Sequence, residues 1–340
     1  MPPDDPKLAE RASNGRASLF HAPSAFQGHV ALVVVQFCFG LFPIFGKLAF
    51  QPGGFAPLSV AAWRMVVGAV VLLAIAFAVH GRAAIVKRGD LGILLIASLL
   101  GVTLNMVLYL EGLQRSTPTN AALMMGLIPV FTFTIAAIAG QERFGGWRVA
   151  GVVIALVGAS SRFWAERPDL VREHAFGNLL MAGNALCYSG YFVLSRPILR
   201  KYPPLVVIAW VFALSVPFVP VFAWHEEFAP ATATFAHWRA LTFVLVFPTV
   251  LAYVLNVVAL SRLSASTTAI YIYVQPLITA CASALWLSEE ITTGMFVSAA
   301  LIFPGIWLVA RRPRAPAPAE IPATVPDIDP RSADGNSARP

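Results

Sequence analysis

The amino-acid sequence contains the same pattern twice, with an offset of 147 residues. The stretch PLSVAAW at 57–63 returns as PLVVIAW at 204–210, and the same offset carries Pro129 onto Pro276. Because segments of similar sequence fold into similar units, this repetition predicts two structurally related halves. A fold for this chain must therefore accommodate two copies of one unit.

Both copies consist mainly of apolar segments. Of the 340 residues, 58% are hydrophobic and 12% are charged, and a soluble domain usually has about twice that charged fraction. Lipid offers no partner for exposed backbone groups, so segments of ~20 apolar residues are expected to cross the bilayer as helices. Ten such segments lie at about 30–50, 57–79, 91–113, 118–139, 147–163, 177–195, 204–224, 240–260, 266–287 and 292–310. We predict an all-α integral membrane protein with ten transmembrane helices in two five-helix repeats.

The positive charges of the loops are distributed unevenly. With ten spans both termini lie on one side, and near the spans that side holds fifteen Lys and Arg residues against five on the other. The positive-inside rule therefore places both termini in the cytoplasm, in a multi-pass protein of the cell (inner or plasma) membrane. Because five spans per copy is an odd number, the second copy enters with opposite polarity, which makes the repeats inverted.

Polar tails flank the two repeats. We expect a polar cytoplasmic tail at 1–28, repeats at 29–165 and 176–312, and a Pro/Ala-rich tail at 313–340. The composition of the last segment predicts disorder. The first apolar segment is too long for the core of a signal peptide, so we expect it to be a helix.

Two long stretches of the sequence carry a family resemblance. They are GLQRSTPTNAALMMGLIPVFTFTIAAIAGQERFGGWRVAGVVIALVG (112–158) and ALSRLSASTTAIYIYVQPLITACASALWLSEEITTGMFVSAALIFPG (259–305). Each has a short polar turn, a small-residue helix with a proline, an acidic residue at its end and then a glycine-bearing fifth helix. In these features the chain resembles the drug/metabolite transporter superfamily, in its EamA-type ten-helix branch, over about residues 30–310.

The resemblance implies a secondary transporter that moves a small metabolite by alternating access. An amino acid or a related compound is the favoured substrate, and efflux is the favoured direction. The inverted repeat independently favours a transporter whose site lies where the halves meet. The alternatives are a membrane-embedded receptor or scaffold and a proton-coupled importer of a vitamin, nucleoside or sugar. An enzyme is not expected, since HExxH, GxSxG and P-loop patterns are absent from the sequence.

The expected partners are a small-molecule substrate and the lipid bilayer. Nucleic acid is not expected, because the net charge of +7 follows the sidedness of the loops. Cys38, Cys187 and Cys281 lie inside predicted spans without CxxC pairing, so neither a metal nor a cofactor is predicted. Small residues such as Gly158 and Gly305 predict that helix five packs against helix ten; as an oligomer, a monomer and a homodimer both stay open.

Polar and tyrosine side chains repeat at helical spacing on five of the predicted spans. Such side chains are costly in lipid and usually face the bundle interior or a wet cavity. The candidate substrate-binding residues are Gln36 on helix one, Asn105 and Tyr109 on helix three, Asn184, Tyr188 and Tyr191 on helix six, Tyr253 and Asn256 on helix eight, and Tyr271 and Gln275 on helix nine. They suit a neutral or zwitterionic solute with an apolar or aromatic portion. The alternative is that they hold neighbouring helices together by hydrogen bonds.

Two prolines are candidate hinges. Pro129 and Pro276 lie within predicted helices four and nine, where each removes a backbone hydrogen bond. A proline inside a helix kinks it and frees a carbonyl group, which predicts either a static kink or a moving hinge at these two positions.

Three ionisable side chains lie inside predicted spans, all in the outer half. We predict that Glu111 pairs with Lys47 or Arg64 as an outer latch that opens during transport. The alternatives are that Glu111 pairs with Arg115, one turn further on, and that Lys47 snorkels to the membrane surface. All six histidines lie in tails, loops or span ends. Because proton-driven carriers usually need a buried group that titrates, facilitated diffusion is slightly favoured over proton antiport.

Overall fold

Helices form the regular structure of the residues that the computed structural model describes, which are 25–140, 146–165, 168–260, 271, 274–290 and 293–310. The first repeat contains α1 (Ala25–Ala49), α2 (Pro57–His80), α3 (Leu91–Ser98 and Leu104–Gln114, joined by the π-helical turn Leu99–Thr103), α4 (Pro118–Met125 and Ile128–Ile138) and α5 (Gly146–Ala165). The second contains α6 (Pro168–Leu199), α7 (Pro204–Ser215, Val216–Phe218 and Val219–Ala223), α8 (Phe235–Val246 and Ala252–Leu260, joined by the π-helical turn Phe247–Leu251), α9 (Gln275–Trp286) and α10 (Thr293–Ala310). The predicted tail at 313–340 and residues 1–24 of the predicted tail at 1–28 lie outside the described residues.

Six of the described helical stretches are long and apolar enough to cross a membrane. They are Phe26–Ala49, Pro57–Ala84, Arg88–Gln114, Pro118–Ile138, Pro204–Ala223 and Phe235–Asn256. Each of the ten predicted segments contains one of these helices, and residues 266–270 and 272–273 of the ninth predicted segment lie outside the described residues. The helical character of the fold is confirmed. The number of membrane crossings, ten, stays a prediction.

The duplicated proline motif marks the start of a helix in each repeat. Pro57 opens α2 and Pro204 opens α7, and a third proline, Pro118, opens α4. A proline is well tolerated in the first turn, because its missing N–H would have no intrahelical acceptor there. The start of α4 is further fixed by Thr117, whose side-chain oxygen accepts a 3.2 Å hydrogen bond from the backbone N–H of Asn120.

The two prolines predicted to lie within helices four and nine instead begin helical segments. In α4 the helix ends at Met125, and a new segment starts at Ile128 with Pro129 in its first turn. Pro276 likewise lies in the first turn of α9, which begins at Gln275. These prolines therefore divide or begin helices where the backbone tolerates them, and their role as moving hinges stays a prediction.

The two π-helical turns occupy matching positions in the repeats. The turn at Leu99–Thr103 interrupts α3, and the turn at Phe247–Leu251 interrupts α8, 148 residues later when counted from 99 to 247. A π-helical turn widens the helix locally and rotates the faces on either side of it, and such turns are frequent at functional sites. The sequence repeat thus extends to an irregular feature of the backbone that no motif predicted.

The first helix of each repeat packs against the other repeat. The α1 helix contacts α8 and α9, and α6 contacts α3 and α4. Glycines permit these close approaches: a Cβ atom at Gly40 on α1 would lie 2.8 Å from Ile278 on α9, and one at Gly112 on α3 would lie 2.6 Å from Met181 on α6. Both separations are too short for a real Cβ atom. Glycine at these two positions therefore allows helices of opposite repeats to pack closely against each other.

The predicted packing of helix five against helix ten is confirmed. A Cβ atom at Gly305 on α10 would lie 2.6 Å from the backbone N of Ala155 on α5, and one at Gly158 on α5 would lie 2.7 Å from Cβ of Leu301 on α10. The small residues of the two helices thus face each other within one chain. This contact needs no second copy of the protein.

Candidate functional site

Arg64 on α2 lies inside the helix bundle, with 4% of its surface exposed. Its Nε donates a 2.8 Å hydrogen bond to Oγ1 of Thr249, which belongs to the π-helical turn of α8. The Thr249 hydroxyl donates its own proton to the carbonyl oxygen of Val244 at 2.7 Å, which leaves a lone pair for Arg64. The cation therefore lies at a contact between the first and second repeats, held by an irregular turn of the backbone.

Aromatic rings lie around the Arg64 guanidinium. Its Cζ is 4.3 Å from the ring centroid of Phe42 on α1, and Phe42 stacks on Tyr109 of α3 with centroids 5.0 Å apart and ring planes at 17°. The phenol groups of Tyr109 and Tyr253 lie near the guanidinium. A cation is attracted to the face of an aromatic ring, so these contacts offset part of the cost of burying Arg64.

Two further tyrosines on α6 extend this group of rings. Tyr188 and Tyr191 stack with centroids 5.6 Å apart, and Tyr253 on α8 lies near both rings. The ring of Tyr191 lies against Gly101, in the π-helical turn of α3, where a Cβ atom would be 2.5 Å from the ring. Both π-helical turns thus contact the same group, which we call the aromatic–arginine cluster: Phe42, Arg64, Tyr109, Tyr188, Tyr191 and Tyr253.

The predicted amides Asn105, Asn184 and Asn256 take different positions. Nδ2 of Asn184 on α6 donates a 2.6 Å hydrogen bond to the backbone oxygen of Asn105 on α3, while Oδ1 of Asn184 is buried and has no hydrogen-bond partner among the described residues. The side chain of Asn256 is half-buried, three residues after Tyr253 on α8. Asn184 therefore offers a buried acceptor close to the tyrosines of its own helix.

The predicted polar residues of α9 form hydrogen bonds with helices of the first repeat. Nε2 of Gln275 donates to Oε1 of Gln36 on α1 at 2.7 Å, and one turn later the Thr279 hydroxyl donates to the Gly40 carbonyl at 2.7 Å. Tyr271 lies near the start of α1, with its hydroxyl 2.8 Å from Nδ1 of His29. These contacts are of the packing kind that the sequence left open as an alternative, and a role in substrate binding stays a prediction for all three predicted residues.

The predicted pairing of Glu111 with Lys47 or Arg64 is wrong for this structure. Glu111 accepts from Arg115 one turn later on the same helix, which was the alternative. Nζ of Lys47 instead donates a 3.0 Å hydrogen bond to the carbonyl of Gln114, at the end of α3. The i,i+4 spacing brings Glu111 to Arg115 without any help from tertiary structure, whereas Arg64 is directed inward by its bond to Thr249.

An ion pair between the repeats lies elsewhere, at the start of α3. Asp90 accepts hydrogen bonds from Nζ of Lys201 at 2.7 Å and from the Tyr202 hydroxyl at 2.8 Å, and Tyr202 accepts one from the backbone N–H of Lys87. Lys201 and Tyr202 belong to the α6–α7 connection of the second repeat. Sequence reasoning missed this cluster, because each residue alone resembles an ordinary charged loop residue.

Glu289 was also missed, since an adjacent acidic pair, Glu289 and Glu290, predicts a solvated helix end. Both carboxylate oxygens of Glu289 are buried and lack a hydrogen-bond partner among the described residues, and Lys47 interacts with it electrostatically. Within the described part of the chain, no three His, Cys, Asp or Glu side chains are grouped as a metal site would require. The carboxylate oxygens of Glu289 are therefore buried near the cation of Lys47 and do not belong to a metal-binding cluster of the described residues.

Two matched repeats of apolar helices, with a buried cation and tyrosines where they meet, are an arrangement typical of membrane transporters. Both repeats match the EamA-like transporter family, at residues 26–161 and 175–311. The chain belongs to this family. The predicted family and the duplicated all-helical fold are thus confirmed, and the protein is a multi-pass membrane transporter of small solutes rather than an enzyme.

The chain is similar to proteins from three distant organisms. Protein WALLS ARE THIN 1 of Arabidopsis thaliana is 25% identical and aligns with 89% of this chain and 87% of its own length. The uncharacterized transporter YyaM of Bacillus subtilis is 24% identical, covering 74% and 84%. An uncharacterized transporter of Archaeoglobus fulgidus is 26% identical, covering 75% and 88%. A protein of known crystal structure shares the fold, with a TM-score of 0.58 and 17% identity over 83% of this chain and 95% of that chain.

Proposed function

We propose that the protein exports a small metabolite, an amino acid or a related compound, by alternating access around the aromatic–arginine cluster. The observation that carries the proposal is that this cluster takes side chains from both repeats, with Phe42, Arg64 and Tyr109 from the first and Tyr188, Tyr191 and Tyr253 from the second. A relative movement of the repeats would therefore change the side from which the cluster is reached. Export and a cell-membrane location with cytoplasmic termini are supported by the family resemblance and the loop charges.

The chemistry of the cluster supports an amino acid or a close relative as the solute. The rings of Tyr188 and Tyr253 present faces and edges to an apolar body, and their hydroxyls can donate or accept hydrogen bonds. The buried Oδ1 of Asn184 has no partner among the described residues, so it is free to accept a hydrogen bond from an ammonium or amide group. The proposed substrate-binding set also includes Gln36, Asn105, Asn256, Tyr271 and Gln275. The proposed hinges are Pro129 and Pro276.

We further propose that the Asp90–Lys201 pair closes the cytoplasmic side. It joins the start of α3 to the α6–α7 connection, so it must break when the two repeats separate there. The hydrogen bond to Asp90 raises the pKa of Lys201 above its ordinary value. The pair is therefore fully formed at physiological pH, and its contribution is lost as the pH rises through that raised pKa.

Breaking this pair is expected to slow transport modestly. The Lys201 side chain is 57% exposed, and exposed ion pairs are weak, so Asp90→Asn or Lys201→Met should change solute exchange in proteoliposomes by about twofold to fivefold. The charge-reversed double variant, Asp90→Lys with Lys201→Asp, should recover most of the rate. Arg200→Gln removes an exposed neighbouring charge and serves as the control. A double variant as slow as the single variants would contradict the proposal that the Asp90–Lys201 pair closes the cytoplasmic side.

Facilitated diffusion is the proposed energetics, and the test is flux through purified protein in proteoliposomes. Efflux of labelled amino acids down their own gradient should be unchanged when an ionophore collapses a pH gradient. Glu289→Gln is the variant to compare, because the carboxylate oxygens of Glu289 are buried without hydrogen-bond partners in the described part of the chain. A rate that falls with the pH gradient, and a loss of that dependence in Glu289→Gln, would establish proton coupling instead. Saturable binding without flux of any labelled metabolite would identify a receptor.

A further inference from the structure

We infer that Arg64 anchors a carboxylate group of the transported solute, and that the rings beside it hold an apolar or aromatic body. The inference rests on the proposed function and specifies the substrate class of the same site. It predicts a preference for monocarboxylates, zwitterionic amino acids included, over neutral analogues of the same shape.

The charge of Arg64 has no countercharge among the described residues. The ion pairs among the described residues join Arg115 to Glu111 and Lys201 to Asp90, and neither includes Arg64. The recorded hydrogen bond of Arg64 uses Nε, so Nη1 and Nη2 have no hydrogen-bond partner in the described part of the chain. A guanidinium binds a carboxylate through two parallel N–H donors, and these two nitrogens form such an edge.

Packing alone is a poor explanation for this charge. Arginine does not lose its proton in proteins, so burial cannot neutralise it, and charged side chains within membrane spans are usually paired. The Thr249 hydroxyl and the face of Phe42 are neutral partners that compensate the charge only in part. A solute carboxylate would supply the missing negative charge.

The repeat supports the same conclusion. Arg64 has Val211 as its counterpart in the second repeat, at the offset of 147, and Val211 is fully buried. A structural requirement of the shared fold would be expected in both copies. A single cation at one shared site is what the binding of a single carboxylate requires.

The surroundings of Arg64 indicate what the carboxylate is attached to. The stacked pair of Phe42 and Tyr109 lies directly beside the guanidinium, and Tyr253 makes edge-to-face contacts with Phe39 and Phe212. These faces and edges favour an apolar or aromatic group. The described partners of Arg64, Thr249 and Phe42, are uncharged, so the remainder of the solute is expected to carry at most a compact ammonium group.

The test compares acids with their amides on the purified full-length protein in detergent. Phenylacetate is titrated against phenylacetamide, and phenylalanine against phenylalaninamide. We expect the acid of at least one pair to bind about tenfold tighter or more, because the amide cannot form the charge-assisted bidentate contact. Arg64→Gln should remove the preference, Arg64→Lys should keep part of it, and Arg82→Gln, which removes an exposed cation just after α2, should leave it unchanged.

A second measurement uses the unaltered protein, in case Arg64 variants fold poorly. Phenylglyoxal modifies accessible arginines, and mass spectrometry of the peptides reports each site. We expect the acid, and not the amide, to slow modification of Arg64 at least threefold, with Arg82 unaffected as the internal control. Equal modification of Arg64 with and without the acid, or no modification of Arg64 at all, would contradict the anchor.

The outcomes separate this inference from the proposed function. Equal binding of acids and amides, no binding of either acid, or a preference that survives Arg64→Gln overturns the carboxylate anchor. Arg64-dependent binding without flux of either acid supports the anchor and contradicts transport of that solute. Flux of the acids that is unchanged by Arg64→Gln supports transport and contradicts the anchor.

Discussion

Replacing Gly305 with leucine is expected to destabilise the folded protein and to lower its yield severalfold. A Cβ atom at this position would lie 2.6 Å from the backbone N of Ala155, 2.7 Å from the carbonyl of Gly151 and 2.9 Å from Cβ of Ala155. Backbone atoms cannot move aside as a flexible side chain can, so α5 and α10 must separate along their shared face. Overpacking of this kind destabilises by about 1–3 kcal/mol or more, because the displaced helices lose their contacts.

The measurement is the yield of monodisperse protein after detergent extraction, with its thermal unfolding temperature. We expect severalfold less folded protein and an unfolding temperature lower by several degrees, on the order expected for ~2 kcal/mol. Gly92→Leu is the matched control, because a Cβ at exposed Gly92 on α3 would meet nothing within 4 Å. Normal yield and an unchanged unfolding temperature for Gly305→Leu would contradict the close contact of α5 and α10.

Gly101→Ala is expected to reduce transport about tenfold while leaving most of the protein folded. The added Cβ would lie 2.5 Å from Cδ2 and 2.6 Å from Cγ of Tyr191. These atoms are at the base of the ring, so a rotation of the ring does not remove the clash. Tyr191 is buried and stacks on Tyr188, so displacing it also shifts Tyr188. Shifts of about 1 Å in groups that orient a solute commonly reduce rates by such factors.

The control for Gly101→Ala is Gly190→Ala, at the same contact between α3 and α6. There the new Cβ would lie 3.5 Å from Cδ1 of Leu100, an ordinary van der Waals separation. The two variants make the same chemical change on neighbouring positions of one helix contact, so their difference isolates the effect on Tyr191. Proteoliposome flux equal to that of the wild type in Gly101→Ala would show that the position of this ring does not matter for transport.

The sequence predicted which side chains are directed into the helix bundle better than it predicted their hydrogen-bond and ion-pair partners. The helical spacing of Tyr188 and Tyr191, and of Gln275 with Thr279, correctly indicated side chains directed into the bundle. It did not indicate that Gln275 bonds to Gln36, because that pairing depends on how α9 docks on α1. The sequence also predicted a pairing of Glu111 with the more distant Lys47 or Arg64, whereas its partner is Arg115, one turn later on the same helix.

The centre of the candidate site could be predicted only in part. Tyrosines 109, 188, 191 and 253 were candidates, and Arg64 was recognised as an unusual charge within a span. Phe42 and Thr249 carried no signal, since an apolar residue and a threonine are ordinary in a membrane helix. Their importance arises from contact with Arg64 across the repeats.

The sequence by itself determined the membrane class, the positions of the helices and the duplication, because these depend on hydrophobicity, on proline and on self-similarity along the chain. Only the tertiary structure decided that α1 and α6 pack against the opposite repeat, and that π-helical turns bring Thr249 to Arg64 and Gly101 to Tyr191. The physical reason is that helix periodicity specifies a direction around one axis. Which two helices pack together, and how far apart their axes lie, depends on where small residues allow the helices to approach each other.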